Sequence, residues 1–310
     1  MWGFSMKVLA PNYYKKFSCI ADKCKHSCCI GWEIDIDDVT LNQYENTNTD
    51  FGKKLRDNIA INDDYACFKL TDNERCPFLN ENNLCEIILK LGEKSLCQIC
   101  SDHPRFRNYY GDRIELGLGL TCEEVARIII DETENFELIE IDESREIGNI
   151  YEDEIEFFNI RNHIFKVIES EDNFESVIEI ILDKFNIEIA QISNYELIET
   201  YLNLERLDDA WDDMLIKLKT IDNIQSSTHS KALKNLLIYF IYRHLGESIY
   251  DDNFNGRLLF AIVSCKTISA LCALGYSIYD VARMYSSEIE YSDENLNTLI
   301  EFLQSKSLEE

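Results

Sequence analysis

The 310-residue sequence predicts a mainly α-helical protein made of two dissimilar halves. The N-terminal half is expected to be irregular and cysteine-rich, with short helices and a β-hairpin, and the C-terminal half to be all-helical. Ten of the twelve cysteines lie between Cys19 and Cys122, and no proline follows Pro104, which suits long helices. The net charge also differs between the halves: it is −9 over residues 1–140 and −19 over residues 141–310. We therefore expect a cysteine-rich domain over 1–140 and an acidic helical domain over 141–310.

Short elements are predicted in the first half from apolar periodicity and from turn residues. A helix over residues 39–59 would place Leu41, Tyr44, Phe51 and Leu55 on its apolar face. Two short extended segments are predicted at 67–70 and 76–79, on either side of the turn Asp72-Asn73-Glu74. A hairpin of strands 106–110 and 114–118 is predicted around Gly111-Asp112. Helices are predicted within 84–97 and over 123–130.

From about Tyr151 onward the sequence predicts amphipathic helices. Ser193 and Glu196 have the spacing of a capping box, in which two side chains satisfy free backbone N–H groups at a helix start. Ser292, which is followed by acidic residues, indicates a similar start. The character of the chain changes near residues 135–150, so the domain boundary is expected there.

The composition of the sequence indicates the cellular compartment and the kinds of binding partner to expect. No run of eighteen or more apolar residues occurs, so no transmembrane helix is predicted, and the first residues lack the apolar core of a secretory signal. The expected compartment is the cytoplasm, where thiols stay reduced and where cysteines favour metal or redox chemistry over disulfides. A net charge of −28 argues against nucleic acid as a partner. It suits a basic partner, or it is the solvated surface of acidic helices.

The cysteine spacing is typical of metal ligands, because short gaps let successive thiolates reach one centre. The pattern is Cys19-x4-Cys24-x3-Cys28-Cys29, then Cys76-x8-Cys85, Cys97-x2-Cys100 and Cys122. Since only His26 and His103 lie near these cysteines in the sequence, an all-thiolate site is favoured, and an iron–sulfur cluster is the leading interpretation. A structural zinc, a redox switch and simple packing stay open. Cys67, Cys265 and Cys272 are expected to be buried packing residues.

Other familiar catalytic motifs are absent from the sequence. It has no GxxxxGK[ST], HExxH or GxSxG motif and no Rossmann glycine pattern, so those enzyme classes are not expected. The CxxxCxxC motif of radical S-adenosylmethionine enzymes is not matched either, because Gly31 stands where the third cysteine should be. The segment Asp102–Arg107 combines a proline turn, an aromatic and two arginines. It predicts either a clamp for a carboxylate or phosphate or an ordinary surface turn.

Several segments between residues 10 and 130 carry a resemblance to a known family. They are Tyr13-Tyr-Lys-Lys-Phe-Ser-Cys19, Cys24, Cys28-Cys29, Gly31-Trp32, Cys76-Pro-Phe-Leu, Leu84-Cys-Glu-Ile, Leu96-Cys-Gln-Ile-Cys-Ser-Asp-His-Pro-Arg105 and Leu120-Thr-Cys-Glu-Glu-Val-Ala-Arg127. These segments resemble the flagellin lysine N-methylases and the broader cysteine-rich, zinc- or iron-chelating proteins with a CxxCxxCC motif. The first spacings here are x4 and x3 where the broader motif has x2 and x2.

The resemblance implies a lysine N-methyltransferase that uses S-adenosylmethionine and a cysteine-bound iron–sulfur cluster, of 4Fe-4S type, with zinc as the alternative metal. Flagellin, or a similar basic protein, is the implied substrate, with neither nucleic acid nor membrane as a partner. A non-catalytic zinc- or iron-binding protein and a thiol redox sensor are the alternatives. The implied metal ligands are Cys19, Cys24, Cys28, Cys29, Cys76, Cys85, Cys100 and Cys122.

Removal of a proton from the acceptor lysine requires a base, since an ammonium group has no free electron pair. The candidates near the cysteines in sequence are Tyr13, Tyr14, Glu33 and Asp102. Arg105 is the candidate for binding the carboxylate of the methyl donor.

Overall fold

A computed structural model describes residues 4–62, 65–189, 193–220 and 229–308. The chain forms two compact units, a larger one of Met1–Phe17 with Arg107–Glu310 and a smaller one of Ser18–Phe106. The expected division at residue 140 does not coincide with these units. A strand, Leu138–Gly148, runs through that position and pairs with the N-terminal strand Phe4–Pro11, so residues on both sides of 140 belong to one sheet.

Strands form three small sheets in the described part of the chain. The strands are β1 (Phe4–Pro11), β2 (Asp35–Ile36), β3 (Ile59–Ile61), β4 (Ala66–Phe68), β5 (Arg105–Tyr109), β6 (Arg113–Leu118), β7 (Leu138–Gly148), β8 (Glu188–Ile189) and β9 (Ser307–Leu308). The sheets have the orders β5-β6-β1-β7, β2-β4-β3 and β8-β9. β1 runs parallel to β6 and antiparallel to β7.

The predicted hairpin is confirmed as β5 and β6, but it is half of a four-stranded mixed sheet rather than an isolated hairpin. The expectation of a hairpin alone was wrong because β1 and β7 have weak strand signals. Met6, Ala10 and Pro11 are the buried residues among the described side chains of β1, and β7 is largely acidic. Their pairing joins residues more than a hundred positions apart, which local patterning does not reveal.

The smaller unit contains short helices around an aromatic core. They are α1 (Asp38–Glu45), α2 (Asp50–Asp57), α3 (Glu86–Leu91) and α4 (Gln98–Asp102). The single helix expected over 39–59 is therefore wrong, because the Thr49 side chain accepts a hydrogen bond from the Gly52 N–H and starts a second helix. In the core, the Phe68 ring lies 4.9 Å from the Phe78 ring and 6.2 Å from the Tyr44 ring, measured between centroids.

The larger unit is mostly helical, as predicted for the C-terminal half. Its helices are α5 (Glu123–Ile130), α6 (Glu152–Ser170), α7 (Phe174–Lys184), α8 (Asn194–Leu202), α9 (Asp209–Lys219), α10 (Ser230–His244), α11 (Ser248–Asp251), α12 (Phe254–Ala273), α13 (Ile278–Tyr285) and α14 (Asp293–Gln304). Ser193 and Ser292 cap α8 and α14 through their hydroxyl groups, which confirms both predicted helix starts.

The core of the larger unit is built around α10 and α12, which pack against each other. Within the described residues, α12 is the one helix long and apolar enough to cross a membrane by length and composition. Most of it is buried: 78% of its most apolar stretch lies inside the protein, where it also packs on α13 and α14. The apolar composition of α12 is therefore explained by its place in the core.

Candidate functional site

Five cysteines of the smaller unit belong to its apolar core or pack against it. Cys76 and Cys97 are buried, and the partly buried Cys29, Cys85 and Cys100 pack against the same apolar cluster. The charges of Cys29, Cys85 and Cys97 act on the Cys76 thiol, and those of Cys97, Cys29 and Cys76 act on the Cys100 thiol. Residues separated by up to 71 positions thus form one group, defined here as the five-cysteine cluster.

Backbone pairing brings three separate segments to this cluster. The Cys76 N–H donates to the Cys29 carbonyl at 2.8 Å, and Ile30 forms an isolated bridge with Arg75. Leu79 forms a second bridge with Cys85, so the cysteines on both sides of this turn face the same region. Cys97 caps α4 and Cys100 lies in its first turn, which places their sulfur atoms 3.3 Å apart.

Backbone N–H groups near several of these sulfur atoms favour the charged form of the thiol. The Phe78 N–H acts to lower the pKa of Cys76 against the larger effect of burial, and the Cys100 N–H helps to lower the pKa of Cys97. The Ile87 and Ile88 N–H groups, in the first turn of α3, act in the same way on Cys85. The thiolate that they favour is the form that binds a metal or a cluster.

The thiols of the cluster differ in acidity. Burial raises the pKa of Cys76 to about 12 and also raises the pKa of Cys85. A hydrogen bond from Cys28 lowers the pKa of Cys29 to about 7, with further help from Ser27 and against the effect of burial. The hydrogen bond between Cys97 and Cys100 lowers the pKa of Cys97 and raises that of Cys100. Cys29 and Cys97 are therefore the members that most readily become thiolates.

The five-cysteine cluster differs from a closed zinc site. Structural zinc has four ligands around one point, with Zn–S distances of about 2.3 Å. Across the described ranges of the chain, no group of three or more His, Cys, Asp or Glu side chains is arranged to hold a single ion. An iron–sulfur cluster spreads its ligands over several irons and takes cysteine almost exclusively. The group consists of cysteines alone, which is the donor type that such a cluster takes.

The other predicted metal ligands lie outside the five-cysteine cluster. In the irregular segment before Trp32, the Cys19 sulfur accepts a hydrogen bond from the Ala21 N–H at 3.4 Å. The Cys24 thiol donates to the His26 carbonyl at 3.3 Å. The Cys28 side chain contacts the cluster through its hydrogen bond with the Cys29 side chain. Cys122 belongs to the larger unit, where it directly precedes α5.

Cys97 was absent from the predicted ligands, although it is buried within the group. The Cys97-x2-Cys100 spacing includes it in the sequence pattern, but its burial depends on the packing of the whole unit. Cys67 is buried as expected, and its thiol donates to Glu33 at 3.5 Å. Cys265 and Cys272 are buried on α12, also as expected.

Candidate polar residues of the smaller unit have ordinary local partners. Glu33 accepts the hydrogen bond from Cys67, and Asp102 lies 3.5 Å from the Gln98 amide. Arg105 donates to the Ser101 carbonyl at 3.3 Å. Burial, assisted by the Arg105 charge, lowers the pKa of His103 to about 4, so His103 is neutral at physiological pH.

Tyr13 and Tyr14 belong to the larger unit. Tyr14 starts a single 3-10 turn, Tyr14–Lys16, and Tyr13 is buried. Tyr13 lines a small surface pocket with a volume of about 20 Å³. The lining residues are Tyr13, Ile129, Glu132, Glu134, Phe136, Lys231, Asn235 and Ile238. Burial and the nearby Glu132 charge raise the pKa of Tyr13, so its hydroxyl keeps its proton and is unsuited to act as a base at neutral pH.

Comparisons with known proteins place this chain among methylases. A family model described as the FliB lysine N-methylase C-terminal domain matches residues 114–310. A lysine-N-methylase of Salmonella typhimurium is 31% identical over 139 residues, which are 43% of this chain and 35% of that protein. The flagellar biosynthetic protein FliU of Salmonella muenchen is 31% identical over 131 residues, which are 40% of this chain and 78% of that protein.

These matches have defined limits. The aligned part is about a third of the length of the Salmonella typhimurium methylase. The family model covers the region from β6 to the C-terminus, which includes Cys122 but none of the five-cysteine cluster. No solved structure matches the chain.

Proposed function

The chain belongs to the FliB lysine N-methylase family, and from this premise we propose that it is an S-adenosylmethionine-dependent protein-lysine N-methyltransferase that acts on flagellin. The match of residues 114–310 to the methylase domain carries the proposal. Flagellin as the substrate is supported by the relative named as a flagellar biosynthetic protein. The net charge of −28 suits a substrate that presents lysines, and the many reduced thiols suit the cytoplasm.

We further propose that the five-cysteine cluster holds an iron–sulfur centre. Support comes from the all-cysteine composition and from the backbone N–H groups that favour the thiolate forms of Cys76 and Cys97. Bound there, such a centre would supply an iron for the amino and carboxylate groups of the donor's methionine. A four-iron centre with that iron free of cysteine takes three thiolates, so two of the five cysteines would have another role. Zinc is the alternative metal.

Methyl transfer requires two things of the protein itself, the alignment of donor and acceptor and the removal of a proton from the acceptor. Methyl transfer from a sulfonium to an amine is an in-line displacement, so the protein mainly has to align donor and acceptor. The acceptor ammonium first gives up a proton. A carboxylate accepts it more readily than Tyr13, whose pKa is raised. Arg105 stays the candidate for the donor carboxylate, and Arg105→Ala should weaken donor binding if it has that role.

A thiol redox function is the second candidate, and one observation favours it. The Cys97 and Cys100 sulfur atoms are in contact at 3.3 Å, and the hydrogen bond between them lowers the pKa of Cys97. A lowered thiol pKa next to a second cysteine is the arrangement of a reactive dithiol. Oxidation would join these two residues by a disulfide.

Two measurements test the proposed function. The anaerobically purified protein is analysed for iron, acid-labile sulfide and zinc, and is then incubated with labelled S-adenosylmethionine and flagellin. Methylated lysines, found by mass spectrometry in the complete reaction and absent without donor, are expected. Failure of methylation by iron-loaded, reduced protein would overturn the methylase proposal. Colourless protein with stoichiometric zinc would overturn the iron–sulfur proposal.

A further inference from the structure

A group of exposed apolar side chains surrounds the turn between β5 and β6. Tyr109, Ile150, Tyr151 and Tyr250 are each more than half exposed, and Ile155 is 47% exposed. All of them belong to the larger unit, although they come from β5, from the start of α6 and from α11. We define these five residues as the tyrosine patch.

Contacts around Gly111 make the members of the patch neighbours. The Asn149 N–H donates to the Gly111 carbonyl at 2.8 Å, which holds the segment before α6 on the hairpin turn. The Tyr151 ring packs so closely on Gly111 that a Cβ atom there would lie 2.5 Å from the ring. The Tyr250 hydroxyl donates to the Tyr109 carbonyl at 3.3 Å, and α11 packs on α6. Single exposed apolar side chains are ordinary, whereas a contiguous patch is typical of a binding surface.

Ile150 and Ile155 extend the patch along the start of α6. Tyr151 is the N-cap of this helix, so Ile150 directly precedes the cap and Ile155 is the fourth helical residue. Side chains at these two positions lie on the same side of a helix start. Both remain about half exposed, so they add aliphatic surface to the aromatic rings.

A carboxylate with an unfilled acceptor lies at the base of the patch. Glu154 is 5% exposed, and its Oε1 accepts a hydrogen bond from the Gly111 N–H at 2.8 Å. Its Oε2 is buried and has no hydrogen-bond partner among the residues that the structure describes. The Tyr250 hydroxyl is close to this carboxylate but gives its one proton to the Tyr109 carbonyl. A buried carboxylate oxygen without a donor favours the approach of a cation.

The charges around the patch are mostly negative. Three exposed carboxylates belong to the first turns of α6, namely Glu152, Asp153 and Glu156. On the hairpin, Arg113 is paired with Asp112 through two hydrogen bonds. Arg107, two positions before Tyr109, adds one positive charge on the same face of β5. The carboxylates outnumber it, so the surroundings of the patch suit a partner that presents ammonium groups.

We propose that the tyrosine patch is the docking surface for a lysine-bearing segment of the protein substrate. The proposal rests on the proposed function, because it names where that substrate is held. The methylene stems of the lysine side chains lie along the tyrosine rings, and the ammonium groups face the carboxylates of α6. Tyrosine suits such a surface, since it offers a large contact area at a small cost in side-chain entropy.

The test measures the affinity of monomeric flagellin for the full chain by fluorescence anisotropy, without methyl donor. The patch pair, Ile155→Ser with Glu156→Lys, should weaken binding by about tenfold or more, because it removes apolar contact and reverses a charge. The matched control is Ile216→Ser with Glu179→Lys, which makes the same two exchanges at exposed positions of α9 and α7. The control pair should bind within about twofold of the parent.

The two pairs have the same net charge, so a difference between them reports on the patch and not on the overall charge of the protein. Tyr250→Ser, which alters α11 and leaves α6 intact, should also weaken binding, and it keeps the test decisive if the patch pair folds poorly. Equal affinities of the folded patch pair and the control pair would overturn the proposal, as would failure of the parent to bind flagellin.

Methylation kinetics separate this proposal from the proposed function. Loss of a docking contact raises the KM for flagellin and leaves kcat unchanged. Binding of flagellin to the iron-loaded, reduced parent without methyl transfer would uphold the patch and reject the methylase. Methylation by the parent, with the same KM in the patch pair, would uphold the methylase and reject the patch.

Discussion

Arg161 and Glu115 form a bidentate ion pair in the larger unit, with both N–O distances at 2.7 Å. Their side chains are 1% and 0% exposed. The pair joins α6 to β6, and the guanidinium is surrounded by aromatic rings, including those of Phe157, Phe158 and Phe165. A helix and a sheet that are distant in sequence are thereby fixed to each other through a desolvated contact.

Breaking this pair should strongly destabilise the larger unit. Glu115→Gln leaves a guanidinium buried without its counter-ion, which costs about 3–5 kcal/mol of unfolding free energy. The double change Glu115→Leu with Arg161→Met should cost much less, because no unpaired charge remains. Urea unfolding followed by circular dichroism measures both. Glu140→Gln, which removes the exposed pair with Lys7, is the control and should cost less than about 1 kcal/mol.

Iron content should depend on the five-cysteine cluster and not on cysteines in general. Cys76→Ser and Cys97→Ser each remove a buried sulfur from the cluster, so most of the iron and sulfide should be lost. Cys67→Ser is the matched control, since Cys67 is buried in the same unit but bonds to Glu33. Equal iron loss in Cys67→Ser and Cys76→Ser would show that burial, rather than ligation, is being measured.

The same measurement on Cys19→Ser and Cys24→Ser tests the ligands that the sequence motif implies. Their sulfur atoms engage the backbone of their own loop, at Ala21 and His26. We expect both variants to retain their iron. Loss of iron from either would extend the site to the N-terminal motif.

Stability of the smaller unit should fall in mild acid because of His103. Burial next to Trp32 and the Arg105 charge lower the folded pKa of His103 from 6.5 to about 4. Between these values the unfolded chain binds more protons, so the unfolding free energy decreases as the pH falls from 6.5 to 4. The contribution of the neutral, buried His103 to the unfolding free energy is fully present above pH 6.5 and amounts to at most about 3 kcal/mol. His103→Asn should remove this part of the pH dependence, read from urea unfolding at several pH values.

How much could be predicted from sequence depends on the range of the interactions involved. Ser193 and Ser292 cap helices through bonds to residues three positions away, so their patterns were sufficient. The pairing of β1 with β6 joins positions about a hundred residues apart, and nothing local marks it.

The candidate sites show the same contrast. Spacing identified most members of the five-cysteine cluster, because cysteine is rare enough for its pattern to be read. It could not rank Cys97 above Cys19, since which thiol is buried depends on packing of the whole unit. The tyrosine patch was not predicted, because it is assembled from β5, the start of α6 and α11.

Asn235 should support the fold of the larger unit. The buried amide donates to the carbonyls of Ile129, Ile130 and Glu132 at 3.0, 3.4 and 2.9 Å, which anchors the end of α5 on α10. Asn235→Ala leaves these buried acceptors without their donor, so the unfolding free energy should fall by about 1–3 kcal/mol. Asn203→Ala is the control, because Asn203 is exposed and bonds to the carbonyl of Glu199 in its own helix.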